Sequence, residues 1–130
     1  MFLFILISLL CNIKKRFIFM EKMLRESVAA LFCYVIKNEN KDIDKERPLF
    51  CRFMKQDFNM ECEDANELLD EVLEKDYNID TQISIISNAL VNQTYQKMSI
   101  LKQLNHIIIK DNLQSENYEI FDKVKKAFFG

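Results

Sequence analysis

The sequence predicts an all-α fold: a single helical bundle of five to seven helices built from two pseudo-repeated halves. Three observations predict it. Apolar residues recur at spacings of three and four along most of the chain, the period of one helix face. Turn-formers are scarce, with one Gly, at the last position, and one Pro, Pro48; β hairpins need Gly or Asn-Gly at their tight turns. Two polar loops, 38–46 and 110–119, each end one apolar stretch and open another. They share a pattern seventy residues apart: Ile43 matches Leu113, Glu46 matches Glu116, Phe50 matches Ile120 and Met54 matches Val124.

A chain of 130 residues suits one domain. At 49% hydrophobic residues, eleven of them Phe, it has ample material for a core. Residues 1–10 are almost wholly apolar, and Lys14, Lys15 and Arg16 follow. The run is shorter than the ~20 residues a spanning helix needs. Its charges follow the apolar stretch instead of preceding it, unlike a signal peptide. Three readings compete: a membrane-surface anchor, a cryptic signal, or a stretch upstream of a start at Met20 or Met23. The third fits best, because the amphipathic pattern begins cleanly at Met20. Residues 1–19 are therefore read as an N-terminal extension and 20–130 as the domain, with membrane contact only through the extension.

The first helix is expected over 20–37, with Leu24, Val28, Leu31, Phe32, Val35 and Ile36 on one stripe. The second begins near Asp44, an N-cap type, with Pro48 in its first turn and Leu49, Phe50, Phe53 and Met54 on its apolar face. The third, over 63–75, sets Leu68, Leu69, Val72 and Leu73 against Glu67, Asp70, Glu71 and Glu74. A fourth follows Asp80 and carries Ile83, Ile86, Ala89 and Leu90. A fifth spans 94–109 with Met98, Leu101, Leu104 and Ile108 inward. The break between these two lies near Asn92. The sixth follows Ser115 and buries Phe121, Val124 and Phe128.

At the two loops the chain resembles the TerB-like family of tellurite-resistance proteins. That family repeats an apolar helix end, then Ala-Asp-Gly-x-Ile, then a Glu opening the next helix. The matching stretches are 35–46, ending Asp42-Ile43-Asp44-Lys45-Glu46, and 107–116, which runs Ile107-Ile108-Ile109-Lys110-Asp111-Asn112-Leu113-Gln114-Ser115-Glu116. Neither carries the Gly. The resemblance spans roughly 20–129, nearly the whole chain without its N-terminal run. It implies two related helical halves, divalent-cation binding through acidic loops, and a place in stress-response complexes near the membrane.

Asp42, Asp44 and Glu46 crowd one loop, and Asp111, Glu116 and Glu119 the other. Hard cations such as Ca²⁺ or Mg²⁺ take several converging oxygens. Bound there, an ion screens carboxylate repulsion and shifts the packing of the halves. The alternative is that these carboxylates cap helix N-termini and complement the macrodipole. A rival in another class is an all-α, Mg²⁺-dependent nucleotide pyrophosphohydrolase using Glu71, Glu74, Glu119 and Asp122. A solvated face opposite the apolar stripe accounts for Glu71 and Glu74 equally well. A third reading is a purely structural helical protein.

His106, the one His, lacks a partner for catalysis and reads as a partly buried structural residue. No Gly-rich phosphate loop exists. Phe50, Phe53 and Phe58 alternate with Arg47, Arg52 and Lys55, but helical spacing turns the rings to the core. Net charge −2 does not favour nucleic acid. Exposed apolar residues, Phe128-Phe129 among them, suit a protein partner. Cys11, Cys33, Cys51 and Cys62 form no CxxC pair, so they fit a reduced, cytoplasmic setting; four thiols still allow disulfides. The reading is a non-enzymatic interaction or scaffold module, responsive to a divalent cation, cytoplasmic or associated with the membrane.

Overall fold

Six α-helices order the computed structural model, which describes residues 2–109 and 118–130; no strand occurs among them. They are α1 (Phe2–Asn38), α2 (Ile43–Phe58), α3 (Cys62–Leu73), α4 (Ile79–Ala89), α5 (Thr94–Ile109) and α6 (Glu119–Phe129). The all-α expectation and the helix count agree with this. The comparison of the two loops does not extend to residues 110–117, which lie outside the described residues.

Helix α1 is the axis. Its 37 residues reach about 55 Å at 1.5 Å per residue. The expected helix start at Met20 is therefore not where the helix begins. Leu, Ile and Phe propagate a helix well, and 2–19 contains no Gly or Pro to stop one. In the C-terminal half every residue from Ser27 to Cys33 is buried, the pattern of a helix surrounded on all sides. Helices α2, α3, α4 and α5 surround it, and α6 closes over α4 and α5.

Phe32 centres the core. Its ring stands edge-on to Phe50 at 5.5 Å and stacks on Phe53 at 5.1 Å. Phe53 in turn meets Phe58 at 5.6 Å. Such pairs add about 0.5–1.5 kcal/mol each beyond area burial. Arg52 and Lys55 stay exposed, so the interleaved rings and cations divide between core and water as their spacing predicts.

Three asparagines end helices where glycine is usual. Asn40, Asn59 and Asn92 have φ of 54°, 51° and 66°, and Asn visits this left-handed region more readily than most residues. At Asn40 the N–H bonds Lys37 O at 3.0 Å and the next N–H, of Lys41, bonds Ile36 O at 3.0 Å. That double closure is a Schellman motif. Asn92 sits in the α4–α5 break, so these are two helices.

Several boundaries move. Asp42, not Asp44, caps α2, its Oδ1 accepting from Asp44 N at 3.0 Å. Asn78, not Asp80, caps α4 by accepting from Thr81 N at 3.1 Å. Pro48 lies in the second turn of α2, where it removes the bond its N–H would give to Asp44 O; the position is exposed, so water can serve that carbonyl. Met98 is 55% exposed, and in α6 Ile120 is buried in place of the half-buried Phe121. Ile120 and Phe121 fall on neighbouring stripes of α6, and only the packing partner decides between them.

Candidate functional site

The first acidic loop sits beside the end of α5. Lys41, just after the Schellman turn, donates its ammonium to the carbonyl of Ile107. The C-terminus of α5 carries partial negative charge on its last carbonyls, so a cation is held well there. The contact brings the α1–α2 elbow to the last turn of α5.

Local chemistry engages the carboxylates of this elbow. Asp42 caps α2. Asp44 accepts from Arg47 Nε at 2.8 Å, and Arg47 Nη2 also reaches Asp70 Oδ1 on α3 at 2.5 Å. Those two bonds raise the affinity of the Arg47 guanidinium for its proton. Glu46 points inward and is 4% exposed. Glu119 lies exposed in the first turn of α6. Asp111 and Glu116 lie outside the described residues. Among the described residues no three His, Cys, Asp or Glu side chains are grouped as a metal site.

The four hydrolase carboxylates are all exposed. Glu71 and Glu74 ride on or just beyond α3, which packs on α1 and α2; Glu119 and Asp122 ride on α6, which packs on α4 and α5. His106 is exposed, a correction to the expected partial burial. It falls on the polar side of α5 while Ile107 and Ile108 turn inward.

Two concave surfaces were not legible in the sequence. One, of about 420 Å³, opens where α1 enters the bundle, lined by Met20, Glu21, Leu24, Phe58, Leu90 and Gln93. The other, of about 300 Å³, runs between α5 and α6. Met98, Leu101, Phe121 and Phe129 line it, with Lys102 and Lys125 at its edges. Lys97 donates to Phe128 O at 3.0 Å and stands 5.8 Å from the Phe129 ring, which fixes the groove's outer wall. The Phe128-Phe129 pair was the one hint: Phe128 is 5% exposed and Phe129 45%.

No protein-family model, curated protein or solved structure matches the chain. Site geometry and loop pattern therefore carry the functional reading.

Cysteine chemistry differs from the expected reduced state. Cys51 of α2 and Cys62, the first residue of α3, form a disulfide with their Cα atoms 4.8 Å apart. Asn59 turns the chain back on itself between them, which places two residues eleven apart side by side. Cys33 is buried and Cys11 exposed, both as free thiols.

No described helix is long and apolar enough to cross a membrane.

Proposed function

We propose that the protein is a non-enzymatic, TerB-like interaction module that holds a helical segment of a protein partner in a stress-response or envelope-associated complex. One observation carries this: the α5–α6 groove, with half-exposed Met98 and Phe129 between Lys102 and Lys125. An amphipathic helix lays apolar anchors at i, i+3 and i+4 into such a groove. Methionine adapts to varied side chains, and the flanking lysines favour an acidic segment. The loop pattern and the six-helix architecture support the TerB-like part. A disulfide persists in an oxidising compartment, so the Cys51–Cys62 bond favours the envelope over the cytoplasm.

Titration of the full chain with acidic amphipathic helical peptides, followed by amide and methyl NMR shifts, tests the groove. The expected result is shifts confined to Met98, Leu101, Phe121 and Phe129, lost in Phe129→Ala and weakened at least tenfold in Lys102→Glu/Lys125→Glu. Shifts scattered over the surface, or none, overturn the reading. Mg²⁺-dependent nucleotide hydrolysis that Glu71→Gln abolishes would establish the rival enzyme instead.

The cation-responsive form of the expectation has its own test. Calorimetric titration with Ca²⁺, Mg²⁺ and Zn²⁺, repeated on Asp42→Ala and Asp111→Ala, reads it directly. Millimolar silence in the parent removes the ion.

A further inference from the structure

Helix α1 contains two mainly apolar stretches, and the bundle surrounds one of them. Residues 27–33 are enclosed by four helices. Residues 3–13 are enclosed by none. Leu3, Phe4, Ile5 and Leu6 are four successive residues and are 54–83% exposed; Leu9 and Leu10 repeat the pattern one turn on. Successive helical residues project 100° apart, so these side chains clothe the circumference except for one sector. Ser8 and Asn12, one turn apart, make the only polar strip.

Lys14, Lys15 and Arg16 follow immediately, all exposed. Being consecutive, they too spread around the axis, as a cationic collar below an apolar cylinder. A helix lying flat on a membrane has its cations on one face and its apolar residues on the other. A protein groove covers one face and leaves the rest in water. Neither occupant suits a cylinder that is apolar over all but the narrow Ser8–Asn12 strip, with three consecutive cations at its base. A hydrocarbon surround does, because helical backbone groups are satisfied within the helix. Residues 3–13 are about 16 Å long at 1.5 Å per residue, close to the roughly 15 Å of one leaflet of a bilayer core.

We propose that this stretch of α1 enters one leaflet of an anionic lipid bilayer along its axis, with Lys14, Lys15 and Arg16 at the headgroup phosphates. The helix continues unbroken into the core, so the bundle is held at a fixed stand-off from the surface. This anchoring does not depend on what the α5–α6 groove recognises.

Vesicle flotation of the full chain tests it. With phosphatidylcholine vesicles containing about one-third phosphatidylglycerol, the chain floats; on pure phosphatidylcholine it binds roughly a hundredfold more weakly, from three cations at the surface. Lys14→Gln/Lys15→Gln/Arg16→Gln abolishes that preference, and Leu6→Asp/Leu9→Asp abolishes flotation on both. Unchanged far-ultraviolet circular dichroism and melting of the bundle confirm that each variant is folded. The chain has no Trp, so Phe4→Trp and Ile13→Trp each add a single depth probe that leaves the anchor apolar. Deeply brominated acyl chains quench the Phe4→Trp chain best, and shallow ones the Ile13→Trp chain. Equal depth at both positions overturns axial entry. Absence of vesicle binding overturns the proposal, as does equal binding to neutral and anionic vesicles. Lipid-free self-association that blue-shifts the Phe4→Trp emission and competes with vesicles assigns the surface to a second copy and overturns it too.

Discussion

The guanidinium of Arg25 donates to the carbonyl of Phe58 at 2.6 Å, so the central helix closes the last turn of α2. The same side chain pairs with Glu21 at 2.9 Å. Gln96 of α5 serves the neighbouring carbonyl, of Asp57, at 2.9 Å. Lys41 does the same for α5 and Lys97 for α6. Three helix ends are thus served by cations from elsewhere in the fold, which ties each terminus to a tertiary neighbour.

Replacing Arg25 by Met keeps most of the side-chain length and removes the donors. A charged hydrogen bond to a part-buried carbonyl is worth about 1.5–3 kcal/mol. Urea unfolding of Arg25→Met is expected to show a loss of that size with an unchanged slope.

Asn40 holds a left-handed φ within the Schellman turn. Asn40→Gly is expected to be neutral or slightly stabilising. Asn40→Val places a β-branched side chain in the same region and is expected to cost about 1–2 kcal/mol. Thermal melts of the two variants give the comparison.

Asp42 caps α2, so Asp42→Ala is expected to cost about 1 kcal/mol. The loss should be the same with and without added Ca²⁺. A Ca²⁺-dependent difference in melting would show that the carboxylate serves an ion as well as the helix end.

The Cys51–Cys62 bond closes a short loop, with a sequence separation of 11. Chain entropy predicts that reduction costs about 2–3 kcal/mol. In the native protein a thiol reagent should label Cys11 alone at once. Cys33 should react only on unfolding, because it is 4% exposed and burial pushes its thiol pKa up.

Tyr77 donates to Glu26 Oε1 at 2.6 Å. Burial, then this bond to a carboxylate, raises its pKa above the ordinary 10. The folded state therefore favours the protonated phenol. Its contribution is complete below pH 10 and is lost as pH rises from there toward the folded pKa. Stability measured from about pH 9 to about pH 11 is expected to fall less steeply in Tyr77→Phe than in the parent.

Helix number and the inward stripes of α1 to α4 were legible because apolar residues repeat at the helical period, and burial follows that period whatever the partner. The N-caps at Asp42 and Asn78 were two residues off, since Asp, Asn and Ser are interchangeable as cap types in sequence. In the candidate site, the acidic side chains of the first elbow could be read, but not that Asp42 caps, Asp44 pairs with Arg47 and Glu46 turns inward. The cap and the pair are local, two and three residues apart, and follow from where α2 starts; the burial of Glu46 depends on what packs against α2.

By itself the sequence determined an all-helical chain, a Phe-rich core and an apolar segment ending in three cations. Only the tertiary structure decided that Met98 and Phe129 frame a groove, that Cys51 meets Cys62, and that residues 3–13 stay uncovered while 27–33 are enclosed. The physical reason is that periodicity acts within one helix, whereas exposure depends on which other helices arrive to cover it.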